Sequence, residues 1–160
     1  MTTRGPEVEA LADGLWRRLR DVLMAERQLE RFAFAPEGGH EARASGRLTA
    51  LVEDQAALAD LARDVTLRAL AAASDGLNYR VLSRVGGGGV GLDELARAVG
   101  LPVLAASERV NTLAQAGLAA RDLDRDAIVD TPAGRAVVAL VEDVGAGLAA
   151  RCRAAAGSLA

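Results

Sequence analysis

The chain predicts a mostly α-helical fold with one small β-hairpin, and three observations carry that prediction. Apolar residues recur at three- and four-residue spacing over most of the 160 positions, the pattern of helices with one buried stripe. Half of the residues are apolar, yet only Trp16, Phe32, Phe34 and Tyr79 are aromatic, so the core must be Leu, Val and Ala, side chains that favour closely packed helices. Between Gly117-Leu118 and Thr131-Pro132, a short charged segment breaks the helical spacing and reads as a hairpin. The length fits one domain and is enough to bury a core.

In chain order, Glu7 to about Arg31 predicts a long first helix. Val8, Leu11, Leu15, Val22, Ala25, Leu29 and Phe32 follow the helical spacing, interrupted at Arg18, while Trp16, Leu19 and Leu23 widen the stripe. So wide an apolar surface calls for a partner. Phe34 to Gly46 contains Pro36, Gly38, Gly39, His40 and Gly46, a composition suited to a connecting or mobile loop. A second long helix is expected from about Arg47 to Ser74, with Leu48, Leu51, Leu58, Ala62, Val65, Ala69 and Ala72 on one stripe. Asp75-Gly76 ends it, and Asn78 to Val85 begins another with Val81, Leu82 and Val85 inward.

Gly86 to Gly89, followed by Gly91, form a loop. Leu92, Leu95 and Val99 then share one face of a short helix; Gly100 suits a left-handed turn, and Pro102 suits the first turn of a second helix running to Ala116. After the hairpin, the last helix is expected near Pro132, running through Val137, Leu140, Val141, Val144 and Leu148 toward Arg151. Gly145 and Gly147 either loosen it or admit a close neighbour.

The ordered set Leu92-x-x-Leu95-Ala96, Gly100-Leu101, Val110-x-x-Leu113, Gly117-Leu118, Arg121-x-x-x-Arg125 and Thr131-Pro132-x-Gly134-Arg135 resembles the winged helix-turn-helix of bacterial transcriptional regulators. Its ending is closer to the MarR (multiple antibiotic resistance) type than to the ArsR type. The resemblance divides the chain into an N-terminal helical dimerisation region (1–74), a winged helix-turn-helix (75–131) and a C-terminal dimerisation helix and tail (132–160). It implies a homodimer that reads duplex DNA, with the terminal helices paired across the two-fold axis and a short strand in the loop before Leu92. It also implies a small apolar ligand between the dimerisation helices and the reader module, a region that here would include Trp16, Phe32 and Tyr79. Ordinary core is the other reading of those aromatics.

Advancing about 100° per residue, Ala106, Val110 and Leu113 share the inward face of the second helix, which leaves Leu104, Ser107, Glu108, Asn111 and Gln115 outward. Ser107, Asn111 and Gln115 can hydrogen-bond base edges or phosphates, and Val103 and Leu104 can meet thymine methyls. Arg109, at the rim, either pins a phosphate or pairs with Asp93 or Glu94. The resemblance puts an arginine at the wing tip, which makes Arg125 the first candidate there and Arg121 the second. The alternative is that these arginines pair with Asp122, Asp124 and Asp126 on a solvated hairpin. Glu108 departs from the polar or basic residue common in the family and would repel phosphate unless it accepts from a cytosine amino group. With the acidic hairpin and a net charge of −3, it motivates a second reading: a protein-interaction or dimerisation module without DNA binding.

All 19 basic residues are Arg, which either reflects a GC-rich coding bias or supplies phosphate ligands. The glycine run lacks the Lys-Ser/Thr ending of a phosphate loop and reads as a flexible turn. His40 and Cys152 stand apart, so neither a metal site nor another cofactor is expected. Cys152 is either a small helical side chain or, between Arg151 and Arg153, a redox-sensitive thiol. One histidine and no nucleophile–base arrangement argue against an enzyme. With no signal core, membrane-length apolar run or cysteine pair, a cytoplasmic protein is expected.

Overall fold

The computed structural model describes residues 5–32, 54–86 and 88–157. Among them are six helices and one two-stranded antiparallel hairpin: α1 (Pro6–Phe32), α2 (Gln55–Ser74), α3 (Gly76–Val85), α4 (Leu92–Val99), α5 (Val103–Gln115), β1 (Ala119–Asp122), β2 (Ala127–Asp130) and α6 (Pro132–Gly157). The mostly α expectation therefore holds. The loop expected at 34–46, the beginning of the second long helix, and the side chain of Phe32 lie outside the described residues.

Helices α4 and α5 end in the same way, which explains the repeated Gly-Leu pair. Gly100 takes φ +70° and Gly117 φ +77°, left-handed conformations that cost glycine little. The following residues turn back: Leu101 N–H donates to Ala96 O at 2.9 Å, and Leu118 N–H to Leu113 O at 2.9 Å. These bonds satisfy carbonyls that a helix end leaves open. Pro102 sits one position earlier than expected, as the cap of α5. Its φ of −57° suits the helix entry, and its carbonyl accepts from Ala106 N–H.

The hairpin pairs Ala119 with Asp130 and Asp122 with Ala127. A single-residue bridge joins it to the glycine-rich loop: Val90 N–H donates to Ile128 O at 2.9 Å, and Ile128 N–H to Val90 O at 2.8 Å. The short strand implied before Leu92 is thus reduced to one residue.

The Thr131-Pro132-x-Gly134-Arg135 signature has a structural account at each of its four named positions. Thr131 Oγ1 donates to Gly117 O at 2.7 Å and accepts from Gly134 N–H at 3.1 Å, which caps α6 and ties it to the end of α5. Pro132 opens the helix, where its missing N–H is harmless. At Gly134 an added Cβ would run into the Leu118 carbonyl oxygen. Arg135 Nη1 donates to Asp130 Oδ1 at 2.8 Å.

Leu82, Leu95, Leu113, Leu118, Val81, Val85, Val110 and Val137 form the buried centre, contributed by α3, α4, α5, the turn into β1 and α6. Helix α1 packs on α6, with Gly14 against Ala133: an added Cβ would lie 2.6 Å from the Ala133 Cβ. Helix α2 buries Ala69 and Ala73, while Ala62 is exposed, a correction to the expected stripe. Its packing against α3 and α5, not its own periodicity, sets the buried face. Exposed apolar side chains remain on α1 (Val8, Trp16) and on α6 (Val141, Val144, Leu148).

Tyr79 of α3 donates its hydroxyl to Glu142 Oε1 of α6 at 2.5 Å. That hydrogen bond, assisted by desolvation and the carboxylate charge, pushes the phenol up to about 12 from 10.0. Since the protonated phenol is the bonded form, its contribution to stability is complete below pH 10.0 and is lost as pH rises through about 12. Tyr79 is the only tyrosine, so alkaline titration of tyrosinate absorbance reads it directly. The midpoint is expected near 12 in the native chain and closer to 10.0 in Glu142→Gln. Identical midpoints would exclude the Tyr79–Glu142 bond.

Candidate nucleic-acid interface

Helix α5 presents the residues that its periodicity assigns. Ala106, Val110 and Leu113 are fully buried, while Leu104, Glu108, Asn111 and Gln115 are exposed and Ser107 is half-buried. The inward face is held by α3 and α4, so the outward face is fixed relative to the core. Leu104 is 73% exposed and Val103 45%, an apolar start to an otherwise polar face.

The hairpin adds its arginines at two different places. Arg121, on β1, donates from Nη2 to Ser107 Oγ at 2.9 Å, joining two of the expected site residues across the helix–hairpin junction. Arg125 lies at the tip, 3.7 Å from Asp122 Oδ2 through its Nε, with a largely exposed side chain. Asp122 shapes that tip, accepting from Asp124 N–H at 3.1 Å and from Arg125 N–H at 3.2 Å. Asp126 then takes φ +48°, a left-handed conformation that aspartate tolerates better than most residues. Leu123 projects from the tip, 87% exposed.

Arg109 points elsewhere. Its Nη1 lies 3.3 Å from Asp75 Oδ1 and 3.5 Å from Asn78 Oδ1, so its ion-pair partner is neither Asp93 nor Glu94. Asp75 also caps α3, accepting from Leu77 and Asn78 N–H, and the buried Asn78 donates to Ala72 O at 2.8 Å. The Asn78 N–H is the main cause that holds the Asp75 carboxyl below 3.8, against desolvation; Leu77 N–H and the Arg109 charge add to it. Arg109 therefore belongs to a junction of α2, α3 and α5 at the back of the face formed by Ser107, Asn111, Gln115 and Arg121.

Two arginines outside the expected set join that face. An open groove of about 570 Å³ is lined by Arg17 and Arg18 of α1, by Asn111, Ala114 and Gln115 of α5, and by Arg121 of β1, among others. In the sequence, Arg17-Arg18 falls within the first helix and only interrupts its stripe. A second groove, between α4 and the hairpin, has the opposite character, with Asp93, Glu94, Asp122 and Asp126 around Arg97 and Arg121.

Trp16 is half-exposed and Tyr79 is bonded to Glu142; neither lines either groove, so the described residues form no aromatic ligand pocket in these grooves. Among the described residues, no three His, Cys, Asp or Glu side chains gather as metal ligands, and no helix is long and apolar enough to cross a membrane. Cys152 is exposed. No family model, curated protein or solved structure matches the chain.

Proposed function

We propose that the chain is a winged-helix regulator of the MarR-like kind, which binds duplex DNA as a cytoplasmic homodimer. The observation that carries this reading is the α4–turn–α5–hairpin unit, in which Ser107, Asn111, Gln115 and Arg121 lie on one outward face with Arg125 at the hairpin tip. A helix presented this way fits the major groove, while a hairpin beside it reaches the backbone or the minor groove. The exposed Trp16, Val144 and Leu148 on α1 and α6 favour a second copy as the partner of the terminal helices. A small apolar ligand remains part of the reading, placed between the dimerisation helices and the reader module.

The test is binding of the purified chain to fluorescent duplexes from its own upstream region and to a random duplex, across a range of salt. Sequence-selective binding with a steep salt dependence is expected. Arg125→Ala should weaken binding to both duplexes and lower the salt slope by about one unit, the signature of one lost phosphate contact. An unchanged slope removes Arg125 from the interface.

A second reading has its own observations. Leu104 and Leu123 are the most exposed large apolar side chains in the described structure; Glu108 lies one turn after Leu104 on α5, and Asp122, Asp124 and Asp126 flank Leu123 in sequence. Such a surface favours a protein partner over a phosphate backbone. Failure to bind either duplex at low salt counts against the DNA reading, and a partner pull-down that Leu104→Arg abolishes without unfolding the chain is the result expected of this one.

A further inference from the structure

We infer that the groove between α1, the C-terminal half of α5 and β1 is a phosphate-binding site in which Arg17 and Arg18 act together with Arg121. The charged side chains lining it are these three arginines, with no carboxylate among the described residues around it. Among the other described arginines, Arg63, Arg68, Arg109, Arg125 and Arg135 lie within ion-pair distance of an aspartate, whereas Arg80 and Arg84 on α3 do not, but those two line neither groove. Arg17 and Arg18 have no hydrogen-bond or ion-pair partner among the described residues, and Arg121 has the neutral Ser107 hydroxyl. Guanidinium groups gathered around one concavity repel each other, and a bound anion relieves that repulsion.

The geometry prepares the groove for this role. The stem of Arg18 lies across the left-handed turn at Gly117, where an added Cβ would come within 2.8 Å of its Cγ, so packing guides the side chain toward the groove. Arg121 is oriented from the opposite side by Ser107. Small residues, Gly14, Ala114 and Ala120, leave the space between them open. The planar guanidinium matches the tetrahedral oxygens of phosphate through paired N–H donors, and the Asn111 and Gln115 amides can donate to the remaining oxygens. The phosphate comes from one of two sources: a duplex backbone laid across the α5 face, or a free diphosphate-bearing molecule that occupies the groove alone. The first source rests on the DNA reading, and the second does not.

The test uses the full chain with two probes, pyrophosphate followed by calorimetry and a duplex followed by anisotropy at several salt concentrations. For a free ligand, Arg17→Gln/Arg18→Gln should weaken pyrophosphate binding by at least about tenfold, and Arg121→Gln, which leaves α1 unaltered, should do the same. For a backbone site, pyrophosphate binding stays weak while the double variant lowers the duplex salt slope by about two units. Arg80→Gln/Arg84→Gln, with both changes on α3, should alter neither probe. If α1 is disturbed in the Gln variants, Arg17→Lys/Arg18→Lys should retain the charge-driven part of binding. The inference is overturned if neither probe responds to the double variant and to Arg121→Gln, or if the α3 control responds equally. Loss of the DNA reading alone appears separately, as pyrophosphate binding that needs the three arginines without duplex binding by any form of the chain.

Discussion

Gly134→Ala is expected to destabilise the protein by about 3 kcal/mol, a large effect for one methyl group. The new carbon would enter the space of the Leu118 carbonyl oxygen and lie 3.1 Å from Leu82 Cδ1. The oxygen cannot turn away freely, because it accepts from Thr131 N–H at 3.1 Å while Thr131 itself holds Gly117 O. Relief therefore requires α6 to separate from the end of α5. Gly145→Ala in the same helix is the contrast: nothing lies within 4 Å of its added Cβ, so helix propensity alone should stabilise the chain by up to about 1 kcal/mol. Urea unfolding of the two variants should move the midpoint in opposite directions. An unchanged or raised midpoint in Gly134→Ala would mean that α6 and Leu118 do not approach as described.

Leu113→Ala should be comparably damaging, with a loss of about 3 kcal/mol from the removed apolar volume and the cavity it leaves. Leu113 has no exposed surface and sits on the inward face of α5, where its carbonyl also receives the bond from Leu118 N–H. Leu104→Ala removes the same atoms from a side chain that is 73% exposed, and its effect on the unfolding midpoint should be within about 0.5 kcal/mol. The pair tests the rotation of α5 about its own axis, on which the identity of the outward residues depends. Equal losses would place Leu104 in an interior that the structure does not give it.

The parts legible in the sequence are those set by neighbours along the chain. The spacing of Leu95 and Val99, the glycine after each of two helices, and the charged break between Gly117-Leu118 and Thr131-Pro132 are local patterns with local causes, and they reappear as buried faces, left-handed turns and a hairpin. The outward set Ser107, Asn111 and Gln115 followed from helical geometry once Val110 and Leu113 were placed inside. Contacts between distant segments were not legible. Arg109 has Asp93 and Glu94 as acidic candidates in the neighbouring helix, but Asp75 reaches it because α3 folds behind α5. Ala62 fits the stripe of α2 as well as Ala69 does, and only the packing of α2 against α3 and α5 separates them. Arg17 and Arg18 interrupt a helical stripe in sequence; the approach of Gly14 to Ala133 and of Arg18 to Gly117 brings them beside Arg121.

The Thr131 latch has a mechanical consequence. It anchors the first turn of α6 to the end of α5, and about 22 residues of continuous helix extend beyond Arg135. At 1.5 Å per residue that is a rod of about 33 Å, so a tilt of about 10° at its base sweeps the far end through about 6 Å. The latch therefore sets the direction in which α6 leaves the helix–hairpin junction, and with it where Val144 and Leu148 are presented.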